Sequence, residues 1–231
     1  MPADYGDGMA ERTVLITGAA GGLGGPVTEE FLAHNWRVVA PVRPGGSRPP
    51  AGALVIEAEL TDHPAVAEAV ALASAEPAAP LRAVVNLAGG FAASQLVHQT
   101  PLADFEAMLT RNLRPTYLVT AAALPHLLAA GGGAVVCVSS QAATRPFSGA
   151  AGYVTAKAAV LAFAQAVATE YAAANVRCNT VLPGVIDTAA NRAAMPEADR
   201  TAWTPPAQIA TVIRFLAGDD SAPVTGAAIP V

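Results

Sequence analysis

The sequence predicts an α/β fold: one Rossmann-like, doubly wound parallel sheet of about seven strands with helices on both faces. Three observations predict it. Short β-branched runs alternate with longer Ala- and Leu-rich segments along the whole chain, and a glycine loop joins the first such run to the first helical segment. The length of 231 residues, 53% hydrophobic and 13% charged, suits one sizeable core and no second. Residues 1–11 are small, polar and acidic and are expected to be a disordered extension, which places the domain at 12–231. Val14-Leu15-Ile16 reads as the first strand because it is short, apolar and β-branched, and 22–34 follows as a helix after the glycines. Arg37 to Val42 and 53–58 read as strands, 63–75 as a helix and 82–87 as a strand. Two helices are expected at 101–111 and 113–130, then a strand at 134–139 and a long Ala-rich helix over 150–173. Strands at 176–182 and 226–230 flank an irregular segment and a helix near 206–217. The Pro- and Gly-rich stretches Pro44 to Gly52 and Glu76 to Pro80 are short enough to be loops inside one domain.

Composition excludes several function classes. A formal charge of -5 with no Lys or Arg cluster lacks the basic surface that a phosphate backbone requires, so no nucleic-acid partner is expected. No uninterrupted apolar run of membrane-spanning length is read, and the acidic N-terminus does not resemble a secretory signal, so no membrane partner is expected. Cys137 and Cys178 each lie inside an apolar strand-like run, where a thiol behaves as a small buried hydrophobe; a cytoplasmic location follows. The cysteines show no metal-ligand spacing, and His34, His63, His98 and His126 stand apart from one another, so no metal is predicted.

The chemistry concentrates in two places. Tyr153 and Lys157 are four residues apart in a helical segment, which puts both side chains on one face. At roughly 4 Å and an effective dielectric of about 20, an ammonium would favour a phenolate by about 4 kcal/mol before desolvation opposes it. Such a pair is a candidate general acid or base near neutral pH. Ser140, thirteen residues upstream, stands just past the run Ala134-Val135-Val136-Cys137-Val138; its neighbour Ser139 reads as a strand-end turn residue. The second place is Thr17-Gly18-Ala19-Ala20-Gly21-Gly22-Leu23-Gly24, where glycines between strand and helix let the backbone approach a pyrophosphate and the helix start offers unpaired N–H groups.

Thr17-Gly18-X-X-X-Gly22-X-Gly24, followed by Asn86-Leu87-Ala88-Gly89, Asn112, Ser140, Tyr153-X-X-X-Lys157 and Pro183-Gly184, resembles the short-chain dehydrogenase/reductase family over about 13–231. The resemblance implies Tyr153 as proton donor or acceptor, Lys157 holding the nicotinamide ribose and lowering the tyrosine pKa, and Ser140 bonding the reacting oxygen. Asn112 would complete a proton relay through water, or else fill a helix cap or kink. Gly18, Gly22, Leu23 and Gly24 would bind the pyrophosphate. Glu59 and Leu60 would lie beside the adenine, with Glu59 as a solvated strand end the plainer reading. Asn86, Ala88 and Gly89 would line the adenosine and ribose, and Pro183, Gly184, Ile186 and Thr188 the nicotinamide. Where NAD-dependent members place a carboxylate this chain has Val42 and then Arg43, whose guanidinium can pair with a 2′-phosphate; NADPH is the expected cofactor and NADH the alternative.

Residues 191–205, His34-Asn35-Trp36 and Ala88-Gly89-Gly90-Phe91 further resemble the dihydropteridine reductase branch, from which Ser140 and Val42 depart. In the plainer reading of that segment a short helix starts at Met195-Pro196-Glu197 and Trp203 packs the loop down. The expected function is NADPH-dependent hydride transfer to a carbonyl, or from the corresponding alcohol, of a small-molecule substrate. Reduction of a quinonoid pterin is one alternative. A dinucleotide-sensing regulator without turnover is another, although such proteins commonly lose the Tyr/Lys pair. The apolar, Ala-rich faces of 113–130 and 150–173 predict a homo-oligomer, dimer or tetramer.

Overall fold

The computed structural model describes residues 10–93 and 95–231; residues 1–9, most of the expected disordered extension, lie outside the described residues. The strands are β1 (Thr13–Thr17), β2 (Arg37–Val42), β3 (Leu54–Glu57), β4 (Leu81–Asn86), β5 (Gly133–Val138), β6 (Val176–Leu182) and β7 (Ala228–Pro230). They form one sheet in the order β3-β2-β1-β4-β5-β6-β7, and every pair is parallel. Between them run α1 (Gly24–Leu32), α2 (His63–Ser74), α3 (Leu102–Ala129), α4 (Ala151–Tyr171), the short α5 (Ala189–Ala194) and α6 (Pro206–Ala217).

A parallel sheet covered on both faces needs apolar side chains pointing both ways, and all five residues of β1 are buried. One face carries Leu15, Val39, Val84, Val135 and Cys178 against Val66 and Val70 of α2, Val119 and Leu127 of α3, and Val160 and Val167 of α4. The other carries Val14, Ile16, Val38, Val85 and Val136 against Val27 and Phe31 of α1 and Ile209, Ile213 and Leu216 of α6. Local signals set the boundaries: Asp62 caps α2 by accepting from Ala65 N–H at 3.3 Å with Pro64 in the first turn, and Asn35 takes a left-handed φ of 57° at the tight turn into β2.

Two expectations are corrected. The helices read at 101–111 and 113–130 are one helix of 28 residues with Pro115 and Pro125 inside it. A proline removes one backbone bond, but α3 is buried at Met108, Asn112, Thr116, Val119, Ala123 and Leu127, and that continuous stripe holds it together through the proline. The segment Ala151–Ala174 is long and apolar enough by composition to cross a membrane, although Lys157, Gln165 and Glu170 interrupt its apolar run. It packs on β5, β6 and α3, and it carries Tyr153 and a buried Lys157, as a core helix with functional side chains does. The short helix of the 189–204 segment precedes Met195 instead of starting there: Thr188 caps it by accepting from Asn191 N–H at 3.2 Å.

Candidate active site and nucleotide cleft

The functional segments all leave the carboxyl ends of the strands. The glycine loop follows β1, Arg43 follows β2, Glu59 and Leu60 follow β3, Leu87 to Gly90 follow β4, Ser140 follows β5 and Pro183 follows β6. A sheet ordered outward from β1 and β4 opens a crevice between them, where open α/β sheets bind ligands. A cleft of about 1200 Å³ occupies that position, lined by Gly18, Gly22, Leu23, Gly24, Arg43, Glu59, Leu60, Ala88 and Gly89 together with Gly21, Ser47, Phe91 and Arg111.

Backbone approach shapes its floor. Gly18 has a φ of +69°, and a Cβ there would stand 3.0 Å from Ala88 N; a Cβ on Gly24 would strike Gly18 O. Thr17 joins the two halves of the crevice: its Oγ1 accepts from Leu87 N–H and Ala88 N–H, each at 3.1 Å. The sequence reading used Thr17 only as the first letter of a motif; its place as the last residue of a buried strand was the available signal. No side chain caps the N-terminus of α1 and its first turn holds no carboxylate, an arrangement suited to receiving an anion on its N–H groups and partial positive charge. A glycine cradle, an uncapped helix start and an elongated crevice fit a dinucleotide.

At the cleft's edge Arg43 is exposed after a β2 that ends in Val42, so no carboxylate stands at the strand end. The Glu59 carboxylate turns back on its own loop, accepting from Thr61 N–H at 3.3 Å and Thr61 Oγ1 at 3.1 Å. Leu60 is 8% exposed and joins the core while lining the cleft. Asn86 keeps its side chain out of the cleft. Its side chain is buried and donates to Thr120 Oγ1 at 3.0 Å, because the last residue of β4 points into the α3 face of the sheet; the cleft is lined from Leu87 onward.

The catalytic candidates converge beyond Gly89. Tyr153 and Lys157 share a face of α4, with the ammonium 5.9 Å from the phenol ring centroid. Lys157 Nζ donates to Val138 O at 3.0 Å and is buried; burial lowers it from 10.5 to about 8, so it remains mostly charged at pH 7. Burial also raises the Tyr153 phenol above its ordinary value, and hydrogen bonding by Ser140 draws it part of the way back. The expectation that Lys157 depresses the phenol is thereby corrected. Among the protein's own groups desolvation is the larger effect, and Ser140, not the ammonium, opposes it.

Ser140 opens a one-turn helix over Gln141–Ala143, its Oγ accepting from Ala142 N–H at 3.2 Å. Ser139 is buried and donates to Lys157 O at 2.7 Å, which makes it a tie between strand and helix and leaves Ser140 facing the phenol. The Asn112 side chain grips the loop after β4: Nδ2 donates to Gly90 O at 3.0 Å and to Met108 O at 2.9 Å, while Oδ1 accepts from Gly90 N–H at 3.1 Å. A Cβ on Gly89 would lie 2.6 Å from Asn112 Oδ1 and 3.3 Å from Lys157 Nζ, so this grip sets the backbone directly beside the ammonium. The sequence reading did not anticipate Gly90 as the partner.

The segment after β6 closes the far side. Pro183 is buried, and its carbonyl accepts from Gln141 N–H at 2.9 Å, tying this segment to the Ser140 turn. Gly184 is exposed, and the Ile186 carbonyl accepts from Thr188 N–H and Asn191 Nδ2, both at 2.8 Å. Thr188 caps α5 with its hydroxyl and presents its methyl to the glycine loop, where a Cβ on Gly22 would stand 2.9 Å away. A bidentate pair of Arg192 with Asp187, both contacts 2.6 Å, braces the turn and holds the Asp187 carboxyl below its usual range.

The chain matches the short chain dehydrogenase family over residues 12–199. It is 33% identical to a 2-(R)-hydroxypropyl-CoM dehydrogenase of Xanthobacter autotrophicus, covering 94% of this chain and 96% of the relative. It is 32% identical to the 3-oxoacyl-[acyl-carrier-protein] reductase MabA of Mycobacterium tuberculosis, over 96% of this chain and 92% of the relative. Among solved structures, a short-chain type dehydrogenase/reductase from Mycobacterium ulcerans superposes with a TM-score of 0.88 at 26% identity, over 96% of this chain and 89% of that one. ElxO with NADP bound superposes with a TM-score of 0.87 at 25% identity, over 96% and 97%.

Proposed function

Because the chain belongs to the short-chain dehydrogenase/reductase family, we propose that this oxidoreductase transfers hydride between NADPH and the carbonyl of a small molecule, with Tyr153 as general acid. The observation that carries the reading is the convergence of three groups: a half-buried phenol under the influence of Ser140, and a buried Lys157 on the same face of α4. When bound, NADPH supplies the hydride. Tyr153 and Ser140 then act on the carbonyl oxygen: Tyr153 O–H delivers the proton to the oxygen as the C–O π pair withdraws onto it, and the Ser140 hydroxyl donates a hydrogen bond to the same atom. A phenol raised by burial stays protonated at neutral pH, as a proton donor in reduction must. Lys157, beside Gly89, would hold the ribose. Asn112 serves here as a positioning residue, since its side chain is engaged with Gly90 and Met108.

Gly18, Gly22, Leu23 and Gly24 would receive the pyrophosphate, Glu59, Leu60, Ala88 and Gly89 the adenosine side, and Pro183, Gly184, Ile186 and Thr188 the nicotinamide. The Ile186 N–H is the available group there, because its carbonyl is already shared by two donors. NADPH is preferred over NADH on the strength of an exposed Arg43 beside a strand end without a carboxylate. Cytoplasmic operation as a homo-oligomer belongs to the same reading: both cysteines are free and buried, and Tyr117 on α3 is 53% exposed beside Phe163 of α4 at 5.8 Å.

The test is purified Tyr153→Phe assayed with NADPH against a ketone and aldehyde panel that includes quinonoid dihydropterin. A fall in kcat of about a hundredfold or more is expected, with NADPH binding retained; turnover at the parental rate would overturn the assignment. Pterin reduction remains the second reading, favoured by the brevity of the 183–204 segment, whose one helix has six residues. Reduction of the pterin alone among the panel would select it. Tight NADPH binding with no turnover of any compound would select the sensing role.

A further inference from the structure

Three aromatic rings stand in a row at the mouth of the site. The Phe91 ring lies 5.0 Å from the Tyr153 ring at 89°, and 6.2 Å from the Phe147 ring at 40°. Phe91 and Phe147 come from different segments, the loop after β4 and the turn before α4, and they remain 58% and 49% exposed. Leu96 and Val97, farther along the same loop, are 50% and 74% exposed. Two phenyl rings held partly in solvent against a half-buried phenol form an apolar surface that a third body can cover. Its place says which body. Phe91 follows directly on Gly89 and Gly90 and lines the nucleotide cleft, and its ring touches that of the proposed acid itself, so a molecule whose carbonyl meets the Tyr153 hydroxyl has the two phenyl rings within reach of its apolar part.

We propose that Phe91 and Phe147 form an aromatic wall that selects substrates whose carbonyl is attached to a flat aromatic ring, the ring packing on the two phenyl groups while the oxygen meets Tyr153. The proposal rests on the carbonyl-reductase reading and names its substrate class. Aromatic rings discriminate by shape and quadrupole as well as by area: with the two phenyl planes 40° apart, a flat ring packed offset on one lies tilted against the other, a pair of contacts that a puckered saturated ring of the same size makes less closely. Residues that bring an opposite requirement lie to one side. Arg111 and Glu106 line the nucleotide cleft on the α3 flank, with Arg111 Cδ against Gly90.

The experiment compares acetophenone with cyclohexyl methyl ketone in wild type, Phe91→Leu, Phe91→Trp and Phe147→Leu, reading the ratio of kcat/KM for the two ketones. Wild type should prefer the aryl ketone by about tenfold, the order expected from aromatic contacts with two rings. Both leucine variants should bring the ratio close to one, and Phe91→Trp should restore it, because leucine keeps apolar bulk and tryptophan keeps the ring. A wild-type ratio near one, or a ratio that survives both leucine substitutions, overturns the wall. Calorimetric titration of acetophenone into the NADP complex separates the two layers of argument. If no ketone turns over but acetophenone binds wild type and fails to bind Phe91→Leu, the carbonyl-reductase reading falls and the wall stands; absence of binding to wild type removes the wall as well. Retained NADPH binding in each variant shows that the fold is intact.

Discussion

At the scale of single residues, Lys157 carries the largest conflict between folding and function. An ammonium that titrates near 10.5 in water and near 8 in the native chain is held charged at pH 7 against its desolvation. The native state therefore bears a penalty wherever the lysine is protonated in both states, below about 8. Between about 8 and 10.5 the unfolded chain binds more protons, so stability rises with pH through that window. A gap of this size corresponds to about 3 kcal/mol, from which about 1 kcal/mol is returned by the bond to Val138 O. Lys157→Met is thus expected to abolish reduction while stabilising the fold by about 2 kcal/mol at pH 7, a gain that shrinks toward pH 10 in urea unfolding. A variant less stable than wild type at pH 7, or a difference independent of pH, would refute the account. The pairing of Tyr153 with Lys157 was legible because helical spacing is local. The direction of the phenol's shift was not, because burial is set by β5, the Ser140 turn and the Phe91 loop, all remote in sequence.

Single elements were legible to the extent that their signals are contiguous. The buried β-branched run of β1 and the capped, proline-started α2 were read within a residue or two. The failure at α3 has a physical cause: Asn112 and Pro115 are helix-boundary residues by local preference, and only the packing of both halves on the sheet and α4 overrides it. The side-chain direction of Asn86 was equally hard to read, since strand alternation decides which face it takes and one residue reverses the answer. The glycine loop makes a sharper element-scale prediction. A Cβ on Gly24 would collide with Gly18 O and stand 2.8 Å from Ala19, both backbone atoms that no rotamer change can move. Gly24→Ala should displace the start of α1, cost about 1–3 kcal/mol of stability as overpacking does, and weaken NADPH binding at least tenfold. Gly25→Ala, where a Cβ meets nothing within 4 Å, is the control. Equal NADPH affinity in the two variants would show that the loop does not cradle the pyrophosphate.

For the whole molecule, right-handed crossovers in a parallel sheet leave few strand orders, and the one observed puts the crevice between the loops after β1 and β4. Strand alternation in the sequence was enough to reach that architecture, whereas the contacts that close the crevice, Thr188 on Gly22 and Asn112 on Gly90, join segments far apart and left no local trace. A dinucleotide lying across the crevice touches loops from both halves of the sheet, so its binding energy adds to the stability of the domain as a unit. At a hundred times its dissociation constant a ligand specific for the native state adds about 2.7 kcal/mol. For a chain of 231 residues that corresponds to a rise in Tm of about 5–10 °C. On the proposed preference for NADPH, Arg43 would make the effect selective: its guanidinium just after β2 can pair with a 2′-phosphate, where NADH presents only a hydroxyl. Thermal unfolding with equal concentrations of the two cofactors should therefore show the larger rise with NADPH, and Arg43→Ala should reduce that rise to the level of NADH without altering the NADH value. An equal or larger rise with NADH in the parent chain would refute the role given to Arg43 while leaving the glycine cradle untouched, because the cradle meets only the pyrophosphate that both cofactors share.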